Sequence, residues 1–151
     1  MVMQSGTLRI RRGLVRDAQS VHATLWTARD EIPLRPTFDS PDHVGWVRTQ
    51  CRDRQVWIAE VGDHLAGVMV MNVHEIFYLV TLPAFRRHGV GRMLIRHAIA
   101  VVARRYSSGV KAKARLENAP IVALLMAEGF KPHPVLIAQS RWSVYFVGDV
   151  R

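Results

Sequence analysis

Residues 76–92 read IFYLVTLPAFRRHGVGR, and this stretch decides the fold. Its first seven residues are almost all apolar and end at Pro83, which is typical of a central strand buried on both faces of a sheet. From Val90 onward, apolar residues recur at helical spacing over about four turns. Gly89 and Gly91 lie between these two patterns, among arginines. The stretch therefore predicts a strand, a glycine turn and a helix in succession.

The glycine turn, residues 86–91, has the chemistry of an anion site. Glycines let the main chain approach a ligand without a Cβ in the way, and the first turn of a helix leaves its N–H groups unpaired. A pyrophosphate is predicted to bind there, with charge-assisted contacts from Arg86, Arg87 and Arg92. The spacing of the glycines differs from the dinucleotide and P-loop fingerprints, which argues against those two kinds of nucleotide site.

Patterns on either side of this stretch predict an α/β domain with a mixed, mostly antiparallel sheet and flanking helices. Further strands are predicted at residues 8–12, 56–61, 65–71, 110–116, 134–138 and 142–147. Helices are predicted from residue 16 to about 28, from 41 to about 54 with Ser40 as N-cap, from 90 to 105 and from 118 to 128. Three prolines between residues 31 and 41 predict a loop. We expect one domain over residues 1–151.

Composition limits the kinds of site and the cellular compartment that we expect for the protein. Cys51 is the only cysteine, so no internal disulfide can form and metal sites built on paired cysteines are excluded. No base neighbours Cys51 in the sequence, and we expect a structural thiol. No apolar run approaches the roughly 20 residues that span a membrane. We therefore expect a soluble cytoplasmic protein without a metal.

The net charge of +9 is unevenly distributed. Residues 86–115 contain nine Lys or Arg and no acid, which fits a phosphate ligand. The same excess leaves association with nucleic acid as an alternative. That alternative is weaker, because the arginines cluster around the glycine turn and no helix-turn-helix or exposed aromatic series accompanies them.

The stretch from Leu79 to Ile95 resembles the acetyl-CoA signature of the GNAT superfamily of N-acetyltransferases. The Arg-x-x-Gly-x-Gly core of that signature is present in full at residues 86–91. A second block of the superfamily is matched by Asn118, Ala123, Gly129 and Phe130. The predicted order of strands and helices is also that of the superfamily, so the resemblance covers nearly the whole chain.

The resemblance implies the acyl-CoA N-acyltransferase fold and direct transfer of an acetyl group from acetyl-CoA to a primary amine of a small molecule or peptide. In such enzymes the strand before the turn separates from its neighbour and its main chain pairs with the pantetheine arm, which here implies Val80, Thr81 and Leu82. The residues implied to hold the pyrophosphate are Arg87, His88, Gly89, Val90, Gly91 and Arg92. Asn118 is implied to contact the cofactor arm, and its position also fits the N-cap of the next helix.

Transfer to an amine requires a base, because the amine attacks only when unprotonated. Glu75 is the first candidate, since some members of the superfamily carry a catalytic glutamate at the start of the central strand; a solvated turn carboxylate is the alternative. His74 is the second candidate. Many relatives have a tyrosine general acid where this chain has Leu125, so that role is unassigned. Possible substitutes are Tyr78, Tyr106, Tyr145 and Ser140.

The acceptor is expected to bind over the loop at residues 30–42 and the strand near Trp142. The acids of this loop are Asp30, Glu31, Asp39 and Asp42. They either attract a cationic amine or only solvate the loop. The absence of the tyrosine leaves a non-catalytic acyl-CoA sensor as an alternative, and a homodimer is also open.

Overall fold

The computed structural model describes residues 6–30, 43–105, 109–115, 118–132 and 142–147. Its strands are β1 (Leu8–Arg12), β2 (Val56–Val61), β3 (His64–Asn72), β4 (Glu75–Thr81), β5 (Val110–Arg115), β6 (Lys131–Pro132) and β7 (Trp142–Val147). Its α-helices are α1 (Ala18–Thr27), α2 (His43–Arg52), α3 (Val90–Arg105) and α4 (Ala119–Ala127). Two short 3-10 helices, Val15–Asp17 and Pro83–Phe85, precede α1 and follow β4.

The described strands form one sheet in the order β1-β2-β3-β4-β5-β7-β6. Every neighbouring pair is antiparallel except β4 and β5, which are parallel. The two parallel strands are joined through α3, as a parallel connection requires. The predicted mixed, mostly antiparallel sheet is therefore confirmed.

Helices cover both faces of the sheet. Val90, Leu94 and Ala98 of α3 belong to a core cluster that also contains residues of α4 and the sheet. Val21 and Leu25 of α1 belong to a second cluster, with residues of α2 and the opposite face of the sheet. Each helix buries one apolar stripe, so the sheet lies between two helical layers. None of the helices described is both long enough and apolar enough to cross a bilayer.

β4 is less uniformly buried than its apolar sequence predicts. Ile76, Tyr78 and Val80 are buried, whereas Phe77, Leu79 and Thr81 are half-buried. The predicted central position is therefore confirmed, and β4 packs on both faces, but less completely than predicted: Leu79 reaches the α3 and α4 cluster and Phe77 the α1 and α2 cluster only as half-buried residues.

A β-bulge interrupts the pairing of β4 with β3. Val70 pairs with Tyr78 and Met71 with Ile76, so Phe77 is an extra residue on β4. Ile76 consequently packs in the α3 and α4 cluster, whereas Tyr78 packs in the α1 and α2 cluster.

Element boundaries agree with the sequence patterns within a residue or two, with one addition. The two-residue strand β6 lies before the strand expected at residues 134–138, and those residues are outside the described part of the chain. The loop predicted at residues 31–41 is also outside it.

Candidate functional site

β4 and β5 pair over only two positions, Glu75 with Lys111 and Ile76 with Ala112. Within the described residues no ladder pair joins the rest of β4 to β5. The two strands therefore separate after Ile76, and the edge of β4 that leads to the glycine turn faces a gap instead of a neighbouring strand.

The chain leaves β4 through a tight turn with two left-handed residues. Arg87 has φ +69° and Gly89 has φ +76°. The left-handed conformation costs a residue with a side chain about 1–2 kcal/mol, and strain of this kind concentrates at functional sites. No atom lies within 4 Å of the position that a Cβ on Gly89 would occupy. The turn therefore has room for a ligand against its main chain.

The N-terminus of α3 faces the same turn. The N–H of Met93 donates to the carbonyl oxygen of Gly89 at 3.0 Å. The N–H groups of the three residues before Met93 therefore have no acceptor within the helix. The first turn of α3 contains no acidic residue, so no carboxylate of the helix itself neutralises the positive end of the helix dipole. This arrangement fits a phosphate group.

Two further glycines bring α3 close to the sheet and to α4. A Cβ on Gly91 would lie 2.9 Å from Cδ2 of Leu124, and a Cβ on Gly67 would lie 2.8 Å from Cγ1 of Val90 and 2.9 Å from the carbonyl oxygen of Val80. Both glycines therefore set the position of the glycine turn. Gly67 was missed by the sequence patterns, although a lone glycine inside a strand is a signal of close approach.

The predicted cationic residues divide into two groups. Arg86, Arg87 and His88 are exposed around the turn. Nε of Arg92, in contrast, lies 3.6 Å from Oε1 of Glu128, which also accepts from Nε of Arg96 at 2.7 Å. The structure therefore places the main chain of Arg92 at the turn, while its guanidinium faces the end of α4.

The three residues expected to contact the pantetheine arm also differ. Oγ1 of Thr81 lies 3.7 Å from the Cβ position of Gly91, beside the first turn of α3. Val80 is buried just before it. Leu82 already donates its N–H to Ala66 at 2.9 Å and accepts from Phe85 at 2.9 Å. Val80 and Thr81 are therefore better placed than Leu82 to offer main-chain groups to a ligand.

Asn118 lies at the start of α4. Its Oδ1 accepts a hydrogen bond from the N–H of Ile121 at 3.3 Å, so it is the N-cap that its position in the sequence suggested. A contact between Asn118 and the cofactor arm stays a prediction.

Glu75 lies at the other end of β4 from the turn, about 20 Å from Thr81 along the strand. It is half-buried, and its Oε1 lies 3.8 Å from Nζ of Lys113. Glu75 stands where β4 and β5 begin to separate, so it is at the closed end of the gap. His74 precedes it in a half-buried turn, and its carbonyl oxygen accepts from the N–H of Lys111 at 2.8 Å.

The structure does not supply a general acid at the expected position. Leu125 is 2% exposed and belongs to the α3 and α4 core. Tyr78 is equally buried, in the α1 and α2 core, with its ring centroid 5.9 Å from that of Trp46. Tyr145 lies on β7, and Tyr106 and Ser140 are outside the described residues.

The acids expected to attract the acceptor are mostly outside the described part of the chain. Asp30 is exposed beyond the end of α1; Glu31, Asp39 and Asp42 lie outside the described residues.

Cys51 is buried on α2, and burial raises the pKa of its thiol to about 11. The thiol is therefore protonated at neutral pH, as a structural cysteine would be. Among the described residues no three His, Cys, Asp or Glu side chains are grouped to hold a metal ion.

A histidine pair links the two helices beside β4 and was missed by the sequence patterns. His43 is fully buried at the start of α2, and its Nδ1 lies 2.6 Å from Nδ1 of His22 on α1. The His43 ring stacks on Trp46, which contacts the ring of Tyr78 on β4. This chain of rings lies on the face of the sheet that the α1 and α2 layer covers.

Comparison with solved structures shows the same fold. Diaminobutyrate acetyltransferase EctA from Paenibacillus lautus, in complex with L-2,4-diaminobutyric acid and coenzyme A, matches with a TM-score of 0.75 at 10% identity, over 97% of each chain. PaiA N-acetyltransferase from Thermoplasma acidophilum, in complex with coenzyme A, matches with a TM-score of 0.67 at 12% identity, over 94% of this chain and 99% of that one. Ard1 from Thermoplasma volcanium matches with a TM-score of 0.69 at 18% identity, over 92% and 94%.

Sequence comparison gives the family. No curated protein shows significant sequence similarity to the chain. The family model for the acetyltransferase (GNAT) family, however, matches residues 21–130, which is well over half of the chain. That range includes the β4–β5 gap, the glycine turn and α4. The chain therefore belongs to the GNAT family of acetyltransferases.

Proposed function

We propose that the protein is an N-acetyltransferase that moves the acetyl group of acetyl-CoA directly to a primary amine of a small molecule or peptide. The observation that carries this proposal is the open, left-handed Gly89 at the N-terminus of α3, next to the gap between β4 and β5. The turn offers a pyrophosphate main-chain donors and a helix dipole, and the gap offers an extended arm an unpaired strand edge. Membership of the GNAT family supports the acetyl group as cargo.

The residues divide the work of binding. The main-chain N–H groups of residues 89–92 hold the pyrophosphate, and Arg86, Arg87 and His88 add side chains that match its negative charge. Val80 and Thr81 pair with the pantetheine arm, and Asn118 contacts it from the start of α4. The bound thioester supplies the activated acetyl group.

Glu75 is the proposed base. Its carboxylate takes a proton from the ammonium group of the acceptor, and the freed nitrogen forms a bond to the acetyl carbon as the carbon–sulfur bond breaks. The nitrogen then loses its second proton to water and, with Leu125 in place of a tyrosine, water passes a proton to the departing thiolate, which is tolerable for a thiol of pKa about 8.5. The half-buried position of Glu75 at the closed end of the gap supports this role.

The proposed acceptor is a primary amine of unspecified identity. EctA, which shares the fold, was solved with the diamine substrate L-2,4-diaminobutyric acid, and this supports the amine class without selecting a compound. We further propose that residues 1–151 form one domain that works in the cytoplasm, in keeping with a single buried cysteine.

The test compares two glycines of similar conformation. Gly89 and Gly62 both have positive φ and no clash at the Cβ position, where the nearest atom to that of Gly62 is Cα of Gly6 at 3.9 Å, but Gly62 lies in the β2–β3 hairpin. Gly89→Glu places a carboxylate at the glycine turn. It is expected to abolish CoA binding, measured by calorimetry, and thiol release with a panel of primary amines. Gly62→Glu carries a similar backbone strain and is expected to keep CoA affinity within about threefold.

Three outcomes oppose the proposal. Equal CoA affinity in Gly89→Glu and the native protein would show that CoA does not bind at the glycine turn. Binding of acetyl-CoA without thiol release for any amine identifies a sensor. Salt-sensitive binding of DNA or RNA with no affinity for CoA identifies a nucleic-acid protein.

A further inference from the structure

A cleft of about 330 Å³ lies at the end of α3 that is remote from the glycine turn. We call it the arginine cleft; its lining includes Arg12, Arg54, Trp57, Met71, Val101 and Arg105. Because α3 has 16 residues, its two ends are about 24 Å apart. The arginine cleft is therefore about one helix length from the glycine turn, although two of its other lining residues, Asn72 and Val73, lie just before Glu75 in the chain. The inference below does not rest on the proposed function.

The charge of the cleft is unbalanced. Arg12, Arg54 and Arg105 line it together with a single carboxylate, Asp53. In the described part of the chain none of these arginines lies within ion-pair distance of an acid. Burial, followed by the charges of Arg54 and Arg105, lowers the pKa of Arg12 below its ordinary value. Three like charges are thus held near one another with one carboxylate among them and no ion pair to it.

Two of the three arginines are fixed in place by the protein itself. Cζ of Arg12 lies 4.0 Å from the centroid of the Trp57 ring, and its Nη1 donates to the carbonyl oxygen of Arg54. Arg54 itself has φ +62°, a left-handed conformation that is unfavourable for any residue with a side chain. The guanidinium of Arg12 and the main chain of Arg54 are therefore positioned before any ligand arrives.

We propose that the arginine cleft binds a small organic anion with at least two negative charges, either a phosphate ester or a polycarboxylate. Guanidinium groups match both kinds of oxygen acceptor in a bidentate geometry, and an anion relieves the repulsion between the three arginines. Met71 and Val101 provide an apolar wall for the carbon part of such a ligand. The volume is at the lower end of the range for small-molecule sites, which favours a compact anion over a nucleic acid.

The experiment titrates the full chain with inorganic pyrophosphate and, separately, with citrate, using calorimetry at low salt. Saturable binding that weakens as salt rises is expected for at least one of the two anions. The same titrations in Gly89→Glu separate the arginine cleft from the glycine turn, and binding is expected to be retained there. Pyrophosphate alone identifies a phosphate-ester site, and citrate alone identifies a polycarboxylate site.

Two variants address the arginines. Arg54→Gly removes a charge and also the unfavourable left-handed side chain, so the protein is expected to stay folded with a Tm no lower than native. Combined with Arg105→Gln, it is expected to weaken anion binding at least about tenfold. Arg104→Gln is the matched control, because Arg104 is exposed beside Arg105 but does not line the cleft. The proposal is overturned if neither anion binds, or if binding is lost in Gly89→Glu. It is also overturned if Arg104→Gln weakens binding as much as Arg105→Gln does when each is combined with Arg54→Gly.

Discussion

Nδ1 of His22 and Nδ1 of His43 lie 2.6 Å apart, which joins α1 to α2 by a hydrogen bond between two rings. One ring must donate and the other accept, because only one hydrogen can lie between the two nitrogens. His43 is fully buried and His22 half-buried, so only the His22 side of the bond is reached by water. Through Trp46 and Tyr78 the pair also contacts β4, the strand that leads to the glycine turn.

Replacing His22 tests the contribution of this bond. His22→Ala removes one partner of a buried ring nitrogen and is expected to lower the free energy of unfolding by about 1–3 kcal/mol. Gln19→Ala, at an exposed position on the same helix, is expected to change it by less than about 0.5 kcal/mol. Urea unfolding of the two variants gives the comparison, and equal stabilities would show that the ring contact contributes nothing.

Glu75→Gln keeps the shape of the side chain and removes its ability to take a proton. If Glu75 is the base, kcat/KM for the amine falls by about 10²–10⁴, while the Kd for CoA stays unchanged. Glu60→Gln is the control, because Glu60 on β2 pairs with Arg9 and Arg11 of the edge strand β1 and has no place in the proposed chemistry. Undiminished turnover in Glu75→Gln would show that Glu75 is not the base, and His74 would then be the residue to replace.

Gly67 and Gly45 make a contrasting pair of glycine-to-alanine changes. Gly67→Ala forces a Cβ against Val90 and the carbonyl oxygen of Val80, so it is expected to lose about 1–3 kcal/mol of stability and to displace the start of α3. Gly45 lies in α2 with no atom within 4 Å of its Cβ position, and Gly45→Ala is expected to gain up to about 1 kcal/mol. Thermal unfolding measures both changes, and CoA affinity should fall in Gly67→Ala alone. A stable Gly67→Ala with native affinity would contradict the close approach.

The Arg11–Asp17 pair makes stability depend on pH. Arg11 donates two hydrogen bonds to Asp17, at 2.9 and 3.1 Å, and holds the pKa of that carboxyl below its usual value. The unfolded chain therefore takes up the proton first, so the stabilisation is complete above pH about 4 and is lost as the pH falls further.

Asp17→Asn is expected to cost about 1–2 kcal/mol at pH 7, and the difference from the native protein should shrink below pH about 4. Urea unfolding at pH 7, 5 and 3 measures it, with Asp63→Asn in the exposed β2–β3 hairpin as the baseline. A difference that is the same at all three pH values would rule out the ion pair as its source.

The patterns that predicted the fold are local. The apolar run of β4, the helical spacing of α3 and the glycines between them are each contained within a few residues, and all three appear in the structure at the predicted places. The N-cap role of Asn118 is local too, since its partner Ile121 is three residues away.

What the sequence could not predict depends on contacts between distant segments. His22 and His43 come from different helices, and Arg12, Arg54 and Arg105 meet only after β1, the α2–β2 loop and α3 have packed. The orientation of the Arg92 side chain likewise depends on Glu128, which is 36 positions further along the chain. Electrostatic partners of this kind have no periodic signal, so only the packed structure reveals them.

The extra residue at Phe77 lets two side chains of β4 that are two positions apart reach opposite cores. In an uninterrupted strand Ile76 and Tyr78 would share a face, but here Ile76 packs in the α3 and α4 cluster and Tyr78 in the α1 and α2 cluster. Removal of Phe77 would make Ile76 and Tyr78 successive residues opposite Met71 and Val70, so both side chains would keep their faces while the bulge disappeared. β4 should therefore tolerate the loss of one codon at this point, whereas the loss of one codon elsewhere in the strand would turn every side chain on one side of the deletion to the wrong face.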